Sequence, residues 1–204
     1  MRVFIALFIL TLARYSSAQV YGYGRCPDVR PVDDFDVHRY AGRWYEFARF
    51  YDAPEESFRC QTQNYTVKAD YLLSNESGVD SYGQGYSFLV RIYNLSEWNT
   101  GILYYSSENP VKFIVPFVDY GKYSINHVCK EYLRGLINIQ YNWIITRDRT
   151  MSEADYDDVM RYLDSVGINA KEFKRADQRD CPNYRDDRVS SRMDEREVVR
   201  TLYS

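Results

Sequence analysis

The sequence predicts an all-β domain, folded as a sandwich or a barrel, followed by a single helix. Between residues 42 and 147, short stretches of alternating apolar and polar residues are separated by turn signals. The chain is also rich in tyrosine, which favours strands: it has 21 Tyr, against 10 Phe and 3 Trp. After residue 152 the spacing of apolar residues changes to that of a helix.

The first eighteen residues have the pattern of a secretion signal. Arg2 gives a short basic start, and residues 3–13 form an apolar run that is too short to span a bilayer. Small residues follow, and we expect cleavage after Ala18. Residues 1–18 are therefore predicted to be a signal peptide, which makes the mature protein secreted and extracellular.

The rest of the chain divides into one domain and a tail. Residues 19–182 are long enough to bury a sizeable core, whereas residues 183–204 are mostly charged or small and are expected to be disordered. Loss of the signal arginines makes the formal net charge of −3 more negative by two. That balance argues against nucleic acid as a partner. No later apolar run is long enough for a membrane span.

Four cysteines are present: Cys26, Cys60, Cys129 and Cys181. An even number in a secreted chain predicts disulfide bonds, and three pairings are possible. No two cysteines have the C-x-x-C spacing of a zinc site, so we predict no metal.

Three glycosylation sequons begin at Asn64, Asn75 and Asn94. Their presence agrees with secretion. We expect these asparagines to lie in loops or at exposed strand ends.

The elements follow in order along the chain. The start of the mature chain, to residue 31, shows no regular spacing of apolar residues and is predicted to be an arm that lies across the domain. The predicted strands are residues 43–51, 59–69, 71–81, 86–93, 102–106, 111–117, 122–133 and 140–146. Ser152 is a plausible N-cap for a helix of about four turns that stops at Gly167. A short strand could follow at residues 171–174.

Three motifs stand in a fixed order along this pattern. Gly42 and Trp44 form a Gly-x-Trp at the start of the first predicted strand. Asp119 and Tyr120 lie at the turn before the seventh predicted strand, and a Trp followed by aliphatic residues leads to Arg147. The set resembles the signatures of the lipocalins, although valine replaces the threonine of the second motif. Within that family, the segments around the first two cysteines are most similar to the apolipoprotein D and insecticyanin (bilin-binding protein) subgroup.

This resemblance implies the architecture and the role of the motifs. The fold is expected to be an eight-stranded antiparallel up-and-down barrel with one C-terminal α-helix packed on its outside. Trp44 and Arg147 should meet at a closed end, which gives the motif residues a structural role. The implied disulfide bonds are Cys26–Cys129 and Cys60–Cys181.

The resemblance also implies a carrier that holds a small hydrophobic ligand in its barrel. Biliverdin or another bilin pigment is the first candidate, with fatty acids, steroids or retinoids as alternatives, and no cofactor is required. Strand alternation gives the candidate cavity residues: Tyr65, Val67, Phe88, Val90, Tyr104, Phe113, Val115, Val128, Trp143 and Ile145. The rival interpretation is a filled barrel that serves as a protein-interaction scaffold, and a homo-oligomer is possible.

An enzyme is not predicted, because the sequence offers no activated group. The histidines are His38, in the turn before the first strand, and His127, which shares strand parity with Cys129 and should point outward. No catalytic residues are therefore proposed.

Overall fold

The structure is a computed structural model that describes residues 20–50, 57–94, 99–105 and 110–182. The predicted signal peptide and the predicted tail lie outside the described residues.

Eight antiparallel strands close into a ring, as predicted. Each strand pairs with the next along the chain, and the last pairs with the first. The strands of this ring are β2 (Gly42–Phe50), β3 (Arg59–Val67), β4 (Leu72–Val79), β5 (Gly85–Tyr93), β6 (Ile102–Tyr105), β7 (Val111–Asp119), β8 (Tyr123–Tyr132) and β9 (Ile137–Thr146). Their bounds lie within a few residues of the predicted ones.

Two further strands extend the sheet outside the ring. β1 (Val20–Tyr23) pairs with the first half of β9, where β9 is not paired to β2. The sequence did not predict β1, because four residues that include Gly22 show no alternation. β10 (Phe173–Arg175) pairs with the end of β2, close to the strand predicted at residues 171–174.

A short helix, α1 (Val37–Tyr40), leads into β2, and a longer one, α2 (Glu153–Ser165), follows the ring. Ser152 caps α2 by accepting a hydrogen bond from the backbone N–H of Asp155 at 3.1 Å. Among the described residues, no helix is long and apolar enough to cross a membrane.

The barrel wall separates two apolar cores. The outer core lies between the wall and α2, where Val159 and Leu163 pack with Ile144 of β9. Burial of each such side chain stabilises the fold by about 1.5–3 kcal/mol. The inner core lies inside the ring around Trp44 and Tyr65. We call the end of the barrel at Trp44 the closed end, and the end where β2 stops and β3 begins the open end.

Candidate functional site

The closed end is plugged by an indole ring with an arginine stacked on it. Trp44 is fully buried, and the guanidinium carbon of Arg147 lies 3.7 Å from the centre of its ring. The indole Nε1 donates to the backbone carbonyl of Tyr40 at 2.8 Å. The cation–π contact alone contributes about 0.5–2 kcal/mol. The two motif residues therefore meet as the resemblance implied.

Arg147 also joins three segments of backbone. Its guanidinium donates to the carbonyls of Tyr120 at 2.9 Å, Arg43 at 2.9 Å and Arg39 at 2.7 Å. Gly42 has a φ of 91°, and a β-carbon there would lie 3.5 Å from Nη1 of Arg147. The glycine is favoured because few other residues adopt this conformation.

The second motif forms the turn between β7 and β8. The Asp119 carboxylate accepts the backbone N–H of Gly121 at 3.0 Å, which fixes the turn. The Tyr120 hydroxyl accepts the backbone N–H of Asp36 at 2.7 Å, and its ring packs near Phe35. All of these contacts are within the protein wall and floor, so they give the motif a structural role.

The inner core contains nine of the ten candidate cavity residues. They are Tyr65, Val67, Phe88, Val90, Phe113, Val115, Val128, Trp143 and Ile145. Most are fully buried, but Val67, Phe88 and Trp143 keep part of their surface accessible although they pack with the inner core. We interpret the accessible surface of Phe88 and Trp143 as the wall of a cavity.

The tenth candidate, Tyr104, is a wrong prediction. It pairs with the exposed Lys112, whereas its neighbours Leu103 and Tyr105 belong to the inner core. Because side chains alternate along a strand, Tyr104 faces outward and Tyr105 faces inward. The ring of Tyr105 stacks on Phe113 with centroids 4.7 Å apart. The four-residue length of β6 left its parity undecided in the sequence.

Two tyrosine hydroxyl groups near the closed end donate hydrogen bonds to amide side chains. The hydroxyl of Tyr40 donates to Oδ1 of Asn126 at 3.0 Å, and that of Tyr65 donates to Oε1 of Gln63 at 2.9 Å. Burial raises the pKa of Tyr40 to about 12 and that of Tyr65 well above its usual range. Both phenols are therefore neutral hydrogen-bonding groups.

A buried ion pair lies inside the barrel near the open end. Arg49 donates to the carboxylate of Glu46 and also to Oε1 of Gln61 at 2.6 Å. Glu46 and Arg49 are both buried, and a register shift in β2 between Glu46 and Ala48 brings them to the same face. This bulge is why simple alternation did not predict the pair.

A second interior carboxyl, Glu76, has no cationic partner among the described residues. It lies on β4 in register with Gln63 of β3 and Phe88 of β5, and it receives one long hydrogen bond from the hydroxyl of Ser74 at 3.4 Å. Burial raises the pKa of Glu76 to about 7, with a smaller contribution from the charge of Glu46. Sequence reasoning missed it because β4 has polar residues on both faces.

The cysteines and sequons lie outside this cavity. Cys26 is bonded to Cys129 and Cys60 to Cys181, as the resemblance implied. These bonds tie the segment after β1 to β8, and the segment after β10 to β3.

The asparagines of the sequons differ from expectation in their positions. Asn64 and Asn75 lie within β3 and β4 and face each other in register, so the expected placement in loops or at strand ends is wrong for both. Asn94 directly follows β5. Alternation places Asn64 on the outer face, because its neighbour Tyr65 faces inward.

His127 faces outward, as its parity predicted. It pairs with Ile114 of the outer core, and its Nδ1 is 2.7 Å from Oδ1 of Asn142. Burial lowers its pKa, so the ring is neutral at physiological pH. Within the described ranges, no three His, Cys, Asp or Glu side chains are grouped to hold a metal ion.

The fold defines a class of protein: an eight-stranded antiparallel barrel that is plugged at one end by Trp44 and Arg147. Residues 41–180 match the model of the lipocalin / cytosolic fatty-acid binding protein family. The bilin-binding protein of Pieris brassicae is 29% identical over 167 residues, covering 77% of this chain and 85% of that protein. Apolipoprotein D of Macaca fascicularis is 26% identical over 191 residues, covering 89% and 99%.

The structure of insecticyanin from the tobacco hornworm Manduca sexta has the same fold. It superposes with a TM-score of 0.67 at 22% identity, covering 78% of this chain and 89% of that one. The chain belongs to the lipocalin family. It is therefore a carrier of small hydrophobic ligands and not an enzyme.

Proposed function

We propose that the protein is a secreted carrier that binds a bilin pigment in the barrel cavity. The single observation that carries the proposal is the accessible aromatic wall above a plugged floor. Phe88, Tyr105 and Trp143 pack with the inner core from three different strands, yet none of them is fully buried. Flat, partly accessible rings suit a planar conjugated ligand, which gains stacking and burial of apolar surface.

The similarity to the bilin-binding protein of Pieris brassicae supports this choice of ligand, since that protein is named for bilin binding. Secretion is supported by the two disulfide bonds, which persist in oxidising compartments, and by the similarity to apolipoprotein D. The sequons at Asn64, Asn75 and Asn94 agree with it.

An absorbance titration of the purified protein with biliverdin tests the proposal. We expect a saturable red-shifted band and quenching of tryptophan fluorescence. Tyr105→Ala should weaken binding by about tenfold through loss of an inner ring, whereas Tyr104→Ala should leave it unchanged. These adjacent tyrosines form a matched pair, because one faces the cavity and the other the outside. Circular dichroism verifies that both variants are folded.

Absence of any band would overturn the bilin proposal, and fatty acids, steroids and retinoids would then be titrated in the same way. Equal effects of the two tyrosine substitutions would place the ligand outside the cavity. If no small ligand binds, the filled scaffold becomes the better interpretation.

A further inference from the structure

Inside the barrel, the two interior glutamates have opposite surroundings. Glu46 is neutralised by Arg49, which also donates to Gln61. Among the described residues, Glu76 receives only the long hydrogen bond from Ser74. An ionised carboxylate can accept about four hydrogen bonds, and leaving it short of donors in an enclosed site is unfavourable. The described part of the chain therefore leaves the hydrogen-bonding capacity of Glu76 largely unused.

The position of Glu76 makes that capacity available to a ligand. Its register partners Gln63 and Phe88 lie on both sides of it, and Phe88 packs with the inner core. Glu76 keeps part of its surface accessible, although the barrel wall encloses it. The Glu76 carboxyl therefore lies on the inner face of the barrel beside Phe88, where a ligand in the barrel could contact it.

Among the described residues, the charged and titratable groups near Glu76 neither neutralise its carboxylate nor donate a hydrogen bond to it. Glu46 repels a negative charge on Glu76, and Arg49 is engaged by Glu46 and Gln61. Tyr65 donates its hydroxyl to Gln63 and not to Glu76. Further ionisable groups of the inner face include Lys130 on β8, which pairs with Ile139 of the inner core, and the phenols of Tyr86 on β5 and Tyr105 on β6.

We infer that Glu76 is the polar anchor of the cavity and selects ligands that present an N–H or O–H donor at this depth over ligands that present a carboxylate. The inference rests on the proposed carrier function and specifies its ligand chemistry. In a tetrapyrrole the donors are the ring N–H groups. In a simpler ligand they would be an ammonium or a hydroxyl.

The effect of the head group on affinity is measured with three ligands of equal chain length: dodecylamine, dodecanol and dodecanoate. Isothermal titration calorimetry at about pH 8 should give wild-type affinities in that order, with the amine about tenfold or more tighter than the carboxylate. Glu76→Gln should reduce the ratio of amine to carboxylate affinity to about threefold or less, and it should weaken biliverdin binding by about tenfold. Asp70→Asn removes an exposed carboxylate from the turn before β4 and should change neither result.

Proton release separates an anchor from a merely structural carboxyl. Near pH 7, binding of dodecylamine should release about half a proton from the wild type and none from Glu76→Gln. Calorimetry in buffers of different ionisation enthalpy measures this release. An unchanged amine-to-carboxylate ratio in Glu76→Gln, or equal proton release, would overturn the inference while the carrier function stands. Failure of the wild type to bind biliverdin or any of the three ligands would overturn both.

Discussion

Replacement of Glu76 by glutamine should stabilise the protein, and the gain should depend on pH. Burial raises the pKa of this carboxyl from 4.5 to about 7. The folded state therefore binds more protons than the unfolded state between these values, so the wild type loses stability as the pH rises through that window. Below about pH 4.5 both states are protonated and the penalty is absent.

The size of the effect follows from the shift in pKa. One pKa unit corresponds to about 1.4 kcal/mol, so the shift of Glu76 corresponds to about 3 kcal/mol of lost stability above pH 7. Glutamine keeps the shape and can still accept from Ser74 but never ionises. The difference in unfolding free energy between Glu76→Gln and the wild type should therefore rise from about zero near pH 4 to about 2–3 kcal/mol near pH 8.

Urea unfolding with the disulfide bonds intact measures this difference at each pH. Comparison of the two proteins cancels the contributions that they share, including that of His127. Asp70→Asn serves as the control and should track the wild type to within about 0.5 kcal/mol. A difference that is flat with pH, or a glutamine variant less stable than the wild type near pH 8, would refute the reasoning.

Two further predictions concern the closed end and the long-range covalent links. Arg147→Lys keeps the charge but loses the planar donors that reach three carbonyls and the stacking on the indole. It should cost about 2–4 kcal/mol in urea unfolding, against less than about 0.5 kcal/mol for the exposed control Arg161→Lys. Replacing Cys60 and Cys181 together by alanine opens a loop with a sequence separation of 121. It should cost up to about 4–5 kcal/mol in the same assay, and a loss below about 1 kcal/mol would contradict the loop-entropy account.

The sequence predicted the inward-facing residues of the barrel wall well because the alternation of side chains along a strand is local and periodic. Alternation correctly assigned Phe88, Phe113 and Val128 to the inner face, since each lies in a strand of nine residues or more. The family resemblance implied that Trp44 and Arg147 meet, and the structure brings them together because β2 and β9, the first and last strands of the ring, pair with each other.

The polar interior was not predictable in the same way. Arg49 reaches the inner face through a bulge, which shifts the parity of β2 in a manner that residue types do not signal. Glu76 lies among polar residues on both faces of β4, so no apolar period marks which side is inside. The error at Tyr104 has the same origin, because β6 is only four residues long. Parity is reliable only where one face is clearly apolar.

The unfavourable setting of Glu76 is itself an argument for function. Domains of this size are stable by roughly 5–15 kcal/mol, so a single side chain that costs about 3 kcal/mol takes a large share of that margin. Glu46 shows that the barrel can accommodate a carboxylate with a partner, since Arg49 lies three residues away on the same strand. A residue that breaks a local rule without compensation inside the protein is expected at functional sites. We propose that a ligand supplies the compensation that the described residues do not give Glu76, so the variant that gains stability should be the one that loses ligand selectivity.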